Sequence, residues 1–416
     1  MKLIHFADLH IGVDAYAKTE AQTGLDSRLR DFLNALDCLV DYALQNKVDG
    51  VIFAGDAYKS RDPSQTQQKE LATRLKKLAQ NNVAVCLLAG NHDVPYSKGK
   101  ATTLDIFSAL DGGNIYVFNK PQCRVIDTKS GQFQLCALPW IRRGVLAEKE
   151  LNEMGLPLSL SGSNQEIEKQ LNALVNNLAS IAAQNPLVPA ILCAHLWADG
   201  AVTGSERSYN LSNEPKITTS ALANPAFCYV ALGHIHKMQV LRKERPAVVY
   251  SGSLERLDFG EEKDDKGFYV LDIDRQGQVQ YLFHKLHGRR FVTLKISVPP
   301  QENDPLPFIL AAIEREQANI AEAIVRIIIE LNVAQSVSLK GNAALREALK
   351  TAHNFVITRD VHRASNVRLQ GLHIEEVTPQ IALDEYLKTQ NSLNLQVKEK
   401  LRDLGRQIIE KTNIIE

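Results

Sequence analysis

Five apolar, β-prone runs in this chain each end in a residue that can hold a metal or move a proton. Lys2-Leu-Ile-His-Phe-Ala7 leads into Asp8-Leu-His10, and Gly50-Val-Ile-Phe-Ala-Gly55 into Asp56. Val85-Cys-Leu-Leu-Ala-Gly90 leads into Asn91-His92-Asp93, Ala190-Ile-Leu-Cys-Ala194 into His195, and Tyr229-Val-Ala-Leu-Gly233 into His234-Ile-His236. The donors are carboxylate, amide and imidazole, with no thiolate among them. That set favours Mn, Fe or Mg over a structural zinc site, and imidazole argues against an all-Mg site. Seven ligand-type residues (Asp8, His10, Asp56, Asn91, His195, His234 and His236) are too many for one ion and suit two that share a bridging carboxylate. Two cations roughly 3.5–4 Å apart clamp the attacking and leaving oxygens of an in-line phosphoryl displacement. The chemistry implied is phosphoester hydrolysis. Each piece alone has a plainer account: a surface turn for Asp-x-His, a satisfied core residue for a lone buried histidine, a turn for Gly90-Asn-His-Asp93. Their joint placement at strand ends, in a chain with 11 histidines, carries the reading.

The elements that must position these residues are legible as alternating patterns. Phe32, Leu33, Leu36, Val40 and Leu44 form one helical stripe, and Leu71, Leu75 and Leu78 another. A third helix starts at Ser163, with Glu166 three residues on as in a capping box, and runs through Leu171, Leu174, Leu178 and Ile181. Short strands alternating with helices imply an α/β fold whose sheet is covered by helices. The carboxyl ends of such strands form the crevice where ligands bind. Residues i and i+2 of an extended segment point the same way, so Asp8 and His10, or His234 and His236, can reach one site. The character changes near Leu286-His-Gly-Arg-Arg290. Beyond it the pattern predicts a strand at 291–298, a helix at 307–318, a strand at 323–331, a helix at 343–352 and a strand at 355–360. From Thr378 the pattern is purely helical, through Ile381, Leu383, Tyr386 and Leu387, then Val397, Leu401, Leu404, Ile408 and Ile409. Two terminal amphipathic helices cannot bury both apolar faces alone; they dock on their own domains or, the favoured reading, on a partner helix. The expected domains are 1–285, 290–375 and 378–416.

Composition bounds the answer. The 416 residues suggest two or three domains, and 44% hydrophobic with 23% charged residues excludes global disorder. Lys plus Arg equals Asp plus Glu at 48 each, which taken alone argues against a strongly basic nucleic-acid binder. Position qualifies that balance. Lys59 and Arg61 follow Asp56, Lys98 and Lys100 follow His92, and Lys237, Arg242, Lys243 and Arg245 follow His236, as phosphate contact would need. No stretch approaches the roughly 18 apolar residues of a membrane span, and Asp8 arrives before any apolar run long enough for a signal peptide. Cys38, Cys86, Cys123, Cys136, Cys193 and Cys228 include no CxxC pair, so reduced, mostly buried thiols and a cytoplasmic location are expected.

The set Asp8-x-His10, Gly55-Asp56, Gly90-Asn91-His92-Asp93, His195 and Gly233-His234-x-His236 resembles the five motifs of the calcineurin-like metallophosphoesterases. Within that superfamily the chain is similar to the SbcD (Mre-eleven type) nucleases. The narrower likeness rests on Asp8-Leu-His-Ile-Gly12, Tyr250-Ser-Gly-Ser253, Leu257-Asp-Phe-Gly-Glu-Glu262, Lys266-Gly-Phe268 and the domain order. The resemblance implies a β-sandwich flanked by helices (αββα), then a small α+β capping domain for DNA recognition, then a helical pair that docks a partner ATPase. By the same resemblance Asp8, His10, Asp56 and His236 hold one metal, and Asp56, Asn91, His195 and His234 the other, with Asp56 bridging. His92 is the non-ligand histidine that protonates the leaving oxygen or stabilises transition-state charge, and Asp93 orients it. The chain departs from some relatives in carrying Lys59 three residues after the bridging aspartate, where a solvated loop lysine is the simplest reading.

The activity so implied is a Mn²⁺-dependent DNA nuclease of repair and recombination, a 3′–5′ exonuclease on double strands and an endonuclease on single strands and hairpins. Its partners would be DNA, an SbcC-type (Rad-fifty-like) SMC ATPase and a second copy of itself within a heterotetramer, with no membrane, in the nucleoid-associated cytoplasm. The competing enzyme reading is a metallophosphoesterase acting on a nucleotide, cyclic nucleotide or phosphoprotein, which would need neither the extra domain nor the terminal helices. A non-catalytic scaffold would have lost ligands or His92, and none is lost.

Overall fold

Short β-branched and leucine-rich runs favour strands, and their period-two alternation decides what each face packs against. The protein is described by a computed structural model covering residues 1–20, 24–95, 97, 100–110, 113–142, 160, 162–204, 214–339, 342–362, 378–389 and 394–412. In it β1 (Lys2–Phe6), β2 (Gly50–Phe53), β3 (Ala84–Leu88) and β4 (Ile115–Phe118) lie parallel. The antiparallel strands β13 (Lys266–Ile273) and β14 (Val279–Leu286) extend that sheet beyond β1, in the order β14-β13-β1-β2-β3-β4. A second sheet runs β11-β12-β10-β7-β6-β5. Its members are β5 (Gln122–Thr128), β6 (Gly131–Leu138), β7 (Ala190–His195), β10 (Tyr229–Gly233), β11 (Gln239–Arg242) and β12 (Ala247–Tyr250).

The two sheets meet face to face through Leu3, Ile52, Cys86 and Leu88 on one side and Leu135, Ile191, Cys193, Ala231 and Val249 on the other, all buried. The alternate residues face outward onto helices. Ile4, Phe6, Val51, Phe53, Val85 and Leu87 pack under α1 (Ser27–Gln45) and α2 (Gln65–Gln80). Leu192, Ala194, Val230 and Leu232 pack under α4 (Asn164–Ala182). The architecture is therefore the expected helix-flanked αββα sandwich. The Ser163/Glu166 capping box that announced α4 is formed, and Ser64 with Gln67 builds another at α2. Short elements complete this region: α3 (Asp105–Leu110), the paired β8 (Trp197–Ala198) and β9 (Lys216–Ile217), and α5 (Thr219–Leu222).

The thiol expectation needs correction. Cys123 and Cys136 are 13 residues apart, yet the β5–β6 hairpin places them directly opposite, Cα atoms 4.1 Å apart, and they pair as a disulfide. CxxC counting cannot detect such a pair, because only hairpin register creates it. Cys86, Cys193 and Cys228 are buried thiols as expected, and Cys38 is exposed.

The chain divides into two compact units, one of Met1–Leu294, Glu316–Arg326 and Leu349–Val356, the other of Lys295–Arg315, Ile327–Ala348 and Ile357–Glu416. After β14 come β15 (Phe291–Ser297), β16 (Ile324–Asn332) and β17 (Asn354–His362), in the sheet order β15-β16-β17. The helix expected over 307–318 is α6 (Pro305–Arg315) followed by the separate turn α7 (Gln317–Ile320). An unforeseen short helix, α8 (Val333–Ser338), follows β16. Its sequence has little helical propensity, and it is fixed by the Asn332/Gln335 capping box. The helix expected over 343–352 is the shorter α9 (Asn342–Ala348). The terminal helices α10 (Pro379–Thr389) and α11 (Leu395–Thr412) pack on each other, with Asp384 bonded to Arg402 at 2.8 Å and Arg406 at 3.1 Å. Val397, Leu401, Leu404 and Ile408 stay exposed on α11, at helical spacing.

Candidate metal and phosphoester site

Strands end where the backbone turns, and here it turns sharply. Asp8, His10, Asp56 and His234 all adopt positive φ, at 52°, 45°, 62° and 97°. Such non-glycine conformations cost about 1–3 kcal/mol each and persist only where the surroundings over-determine them. Backbone bonds between the ends of β1 and β2 supply that constraint, from Asp8 N to Gly55 O (2.9 Å) and from His10 N to Asp56 O (3.1 Å). Glycine is required beside them. A Cβ at Gly55 would overlap the His195 ring, and one at Gly90 would overlap the Asp56 carboxylate.

All seven predicted ligands converge. Asp8, His10 and His236 form one cluster, and Asp8, Asp56 and His195 another, with ligand atoms within 4.8 Å of one another. Asp56 Oδ2 lies between the two groups, 3.6 Å from His10 Nε2 and 3.5 Å from His195 Nε2. Hydrogen-bond acceptors from distant parts of the chain fix the free lone pair of three imidazoles. His195 Nδ1 donates to Ala54 O at 2.7 Å, so its Nε2 lone pair faces Asn91 Oδ1 at 2.9 Å. His234 Nε2 donates to Glu214 at 2.9 Å, so its Nδ1 lone pair faces the same Asn91 oxygen at 3.1 Å. His236 Nδ1 donates to Glu261 at 2.8 Å, turning its Nε2 toward His10 Nε2, 3.0 Å away. Lone pairs so crowded repel one another unless a cation lies among them. The donor set therefore fits two divalent ions.

Electrostatics agree with a site built for positive charge. Burial alone would raise Asp56, but the His195, His10 and His92 rings hold its carboxyl well below the usual range. Burial raises Asp8, opposed by His195 and His236. His10 is held well below its ordinary value by burial and by His236. Burial lowers His195, yet the Asp56 and Asp8 carboxylates outweigh it and push the ring up to about 9, so a proton takes the Nε2 lone pair wherever a metal cation does not.

His92 sits at the same mouth. Its backbone N–H donates to Asp56 Oδ1 (2.9 Å), and its ring meets that of His10 edge-on at 4.9 Å. Its Nδ1 donates to the carbonyl of Lys59 at 2.7 Å, which leaves the lone pair on Nε2, the position where a second proton is taken up and given off. Lys59 thus acts through its backbone, while its exposed ammonium pairs with Asp14 at 3.2 Å. Asp93 needs correction, because it does not orient His92. Fully buried, it accepts from Asp56 N (2.9 Å), Ala57 N (3.1 Å), Gly90 N (2.9 Å) and Thr103 Oγ1 (3.0 Å), stapling two ligand loops together. Burial and the nearby Asp56 charge push its carboxyl up to about 7.

Glu214, Glu261 and Lys266 carry no metal-site signal in the local sequence, yet each supports the site. Glu261 lies in a 3-10 turn, Phe259–Glu261, and is completely buried against Lys266 Nζ at 2.7 Å. Lys266 also donates to His236 O (3.0 Å) and Ser253 Oγ (2.8 Å). The Leu257–Glu262, Lys266 and Ser253 motifs therefore carry one support for His236, a signal visible in the sequence only as a likeness. Of the basic loop residues, Arg61 donates to Asn91 O and Val94 O, and Lys237 pairs with Asp264. Arg242 pairs with Glu244. Lys100, Lys243 and Arg245 are exposed, and Lys98 falls outside the described residues.

Residues 1–238 match the sequence family described as calcineurin-like phosphoesterase. An uncharacterized metallophosphoesterase of Bacillus subtilis, YhaO, is 25% identical over 307 residues, 73% of this chain and 64% of that protein. The SbcD component of the nuclease SbcCD of Rhodobacter capsulatus is 28% identical over 329 residues, 76% of each chain. The DNA double-strand break repair protein Mre11 of Methanocaldococcus jannaschii is 25% identical over 281 residues, 66% of this chain and 63% of that protein. The chain thus spans just under two thirds of the Bacillus and Methanocaldococcus relatives.

Proposed function

The chain belongs to the calcineurin-like phosphoesterases, and from that premise we propose that it is a two-metal DNA nuclease of the SbcD type. The observation that supports this most is the convergence of lone pairs from five strand ends around Asp56. Asp8, His10, Asp56 and His236 would hold one ion, and Asp56, Asn91, His195 and His234 the other, with Mn²⁺ the best fit to a mixed oxygen and imidazole set. Two such ions, when bound, supply Lewis-acid polarisation of the phosphoryl group and a nucleophile from water at neutral pH.

The chain's own residues supply the rest. Ala54 O, Glu214 and Glu261 hold three imidazoles in the tautomer that presents a lone pair to the site. Lys59 O keeps the His92 proton on Nδ1 in the resting ring, so a protonated His92 delivers its second proton from Nε2 to the leaving oxygen. Asp93 keeps the Asp56 and Gly90 loops in register. Acting on DNA, the enzyme would be a 3′–5′ exonuclease on double strands and an endonuclease on single strands and hairpins, in repair and recombination. The relatives named for SbcCD and Mre11 support that substrate.

The 290–375 region would serve as the DNA-recognition cap. The exposed apolar stripe Val397, Leu401, Leu404 and Ile408 of α11 would dock an SbcC-type SMC ATPase, within a heterotetramer containing a second copy of this chain. A nucleoid-associated, cytoplasmic location follows from that substrate; no helix among the described residues is long and apolar enough to cross a membrane. The test is Mn²⁺-dependent cleavage of linear and hairpin DNA beside bis-p-nitrophenyl phosphate. Cleavage of both DNAs is expected. Turnover of the small ester alone, with the ATPase present, would move the assignment to a nucleotide, cyclic nucleotide or phosphoprotein phosphoesterase.

A further inference from the structure

The turn that carries Glu261 is too short to hold a buried carboxylate by itself. Its three residues, Phe259–Glu261, form a single 3-10 turn, whose hydrogen-bond geometry is poorer than that of an α-helix. Support comes from strands later in the chain. Glu262, the next residue, accepts from Thr293 N at 2.9 Å and from Thr293 Oγ1 at 2.6 Å. Arg326 donates to that same hydroxyl from Nε (3.3 Å) and from a terminal nitrogen (3.0 Å). The Arg326 guanidinium also lies over the Phe259 ring, 4.5 Å from its centre, in a cation–π contact. That ring meets Phe291 edge-on at 5.0 Å and Tyr16 at 5.3 Å, and Ile324 is buried in the same cluster. Tyr16 belongs to the loop that follows His10, and its carbonyl accepts from Asn354 Nδ2 at 2.8 Å. Every one of these residues falls in the first compact unit.

We propose that Arg326 and Thr293 are positioning residues for the metal site: through Glu262 and Phe259 they fix the turn from which Glu261 orients His236. The proposal rests on the two-metal reading and deepens it, because it sets a determinant of metal affinity outside the strand-end loops. The path has few steps. Arg326 holds Thr293 and the Phe259 ring, and these hold the turn on either side of Glu261. Glu261 lies between them and accepts from His236 Nδ1 at 2.8 Å. A carboxylate bonded to a ligating imidazole sets the ring's orientation and basicity, so a displaced turn reaches the lone pair that faces the site. A clamp that served the fold alone would add stability to the metal-free chain and leave the Mn²⁺ affinity of the folded protein unchanged.

Calorimetric titration of the full-length protein with Mn²⁺ tests this without any substrate. Arg326→Met and Glu262→Ala should each weaken binding at one of the two sites by about 10-fold, the lower end of what loss of an outer-shell partner produces. The other site should keep its affinity. Thr293→Ser, which retains the hydroxyl, should bind Mn²⁺ as the wild type does. The deciding measurement is a double-mutant cycle with Glu261→Gln. Because Arg326 acts through Glu261, the double variant Glu261→Gln/Arg326→Met should bind Mn²⁺ no more weakly than Glu261→Gln alone. Losses that add, equal weakening of both sites, or wild-type affinity in both Arg326→Met and Glu262→Ala would overturn the proposal. Should Arg326→Met fail to fold, as urea denaturation would reveal, the same cycle with Glu262→Ala decides. Failure of the two-metal reading shows earlier and differently, as a wild-type protein that does not bind two Mn²⁺ ions, and would overturn both.

Discussion

Replacing Glu261 by glutamine separates what a carboxylate does for a proposed metal ligand, His236, from what it does for a buried cation. Glu261 accepts from His236 Nδ1 at 2.8 Å, from Lys266 Nζ at 2.7 Å and from Leu257 N at 3.1 Å. Neither Glu261 nor Lys266 has any exposed surface. Burial alone would raise the Glu261 carboxyl, but Lys266 and His236 hold it well below the usual range. Glu261→Gln keeps the volume and removes the charge. Lys266 then stays buried with neutral acceptors alone, namely His236 O, Ser253 Oγ and at most the single amide oxygen of the glutamine. Breaking a buried pair from one side costs about 3–5 kcal/mol, and those neutral acceptors place the expected loss near about 3 kcal/mol. Separately, His236 loses its anionic partner, an outer-shell change that weakens metal binding by about 10- to 100-fold. The double variant Glu261→Gln/Lys266→Met removes the orphaned ammonium, so it should regain most of the stability and none of the metal affinity. Urea denaturation of metal-free protein reads the first quantity, and calorimetric titration with Mn²⁺ reads the second. Wild-type Mn²⁺ affinity in Glu261→Gln, or affinity restored in the double variant, would refute the assignment of Glu261 as the group that orients His236.

His92→Ala and Asp93→Ala should fail in opposite ways. The first should keep Mn²⁺ binding and stability while lowering the rate of DNA cleavage by about 10²- to 10⁴-fold; full cleavage would take His92 out of the mechanism. The second strands three buried backbone N–H groups, each costing about 1–3 kcal/mol, and should destabilise the protein by about 3 kcal/mol or more in urea. A loss under about 1 kcal/mol would contradict the stapling role. His5 is fully buried between the sheets, bonded to Tyr229 Oη and Leu232 O, and burial lowers it from 6.5 to about 3. Below pH 6.5 the unfolded chain therefore takes up a proton that the folded chain refuses until about pH 3. Stability should fall through that window by up to about 1.4 kcal/mol per pH unit from this group. Metal-free denaturation at about pH 7, 6 and 5 should show a shallower slope for His5→Gln, and an unchanged slope would exclude His5 as a source. If α11 docks the proposed SMC-type ATPase, Leu404→Asp with Ile408→Asp should abolish copurification with it while the proposed DNA cleavage persists; retained copurification would send the docking surface elsewhere.

The proposed ligands were legible because ligand chemistry of this kind is written locally. Each of Asp8, Asp56, Asn91, His195 and His234 lies at the end of an apolar strand, and strand alternation is a short-range property of the sequence. The capping box at Ser163 and the stripe of α1 are short-range in the same sense. Asp93 shows where that reasoning stops. Its place next to His92 suggested a catalytic partner, yet its carboxylate turns inward to amides of two loops, 37 residues away for Asp56 N. The Cys123–Cys136 pair was missed for a related reason, since hairpin register and not spacing brought the sulfurs together.

By itself the sequence determined which residue types arrive at the strand ends, and so the class of chemistry. The tertiary structure decided which atom of each ring faces the site. That choice belongs to the acceptor behind each imidazole: Ala54 O for His195, Glu214 for His234, Glu261 for His236 and Lys59 O for His92. The acceptors lie between 20 and 141 residues from their histidines. A hydrogen bond across such a gap exists only once packing has fixed both partners, so neither residue's neighbours in the chain can announce it.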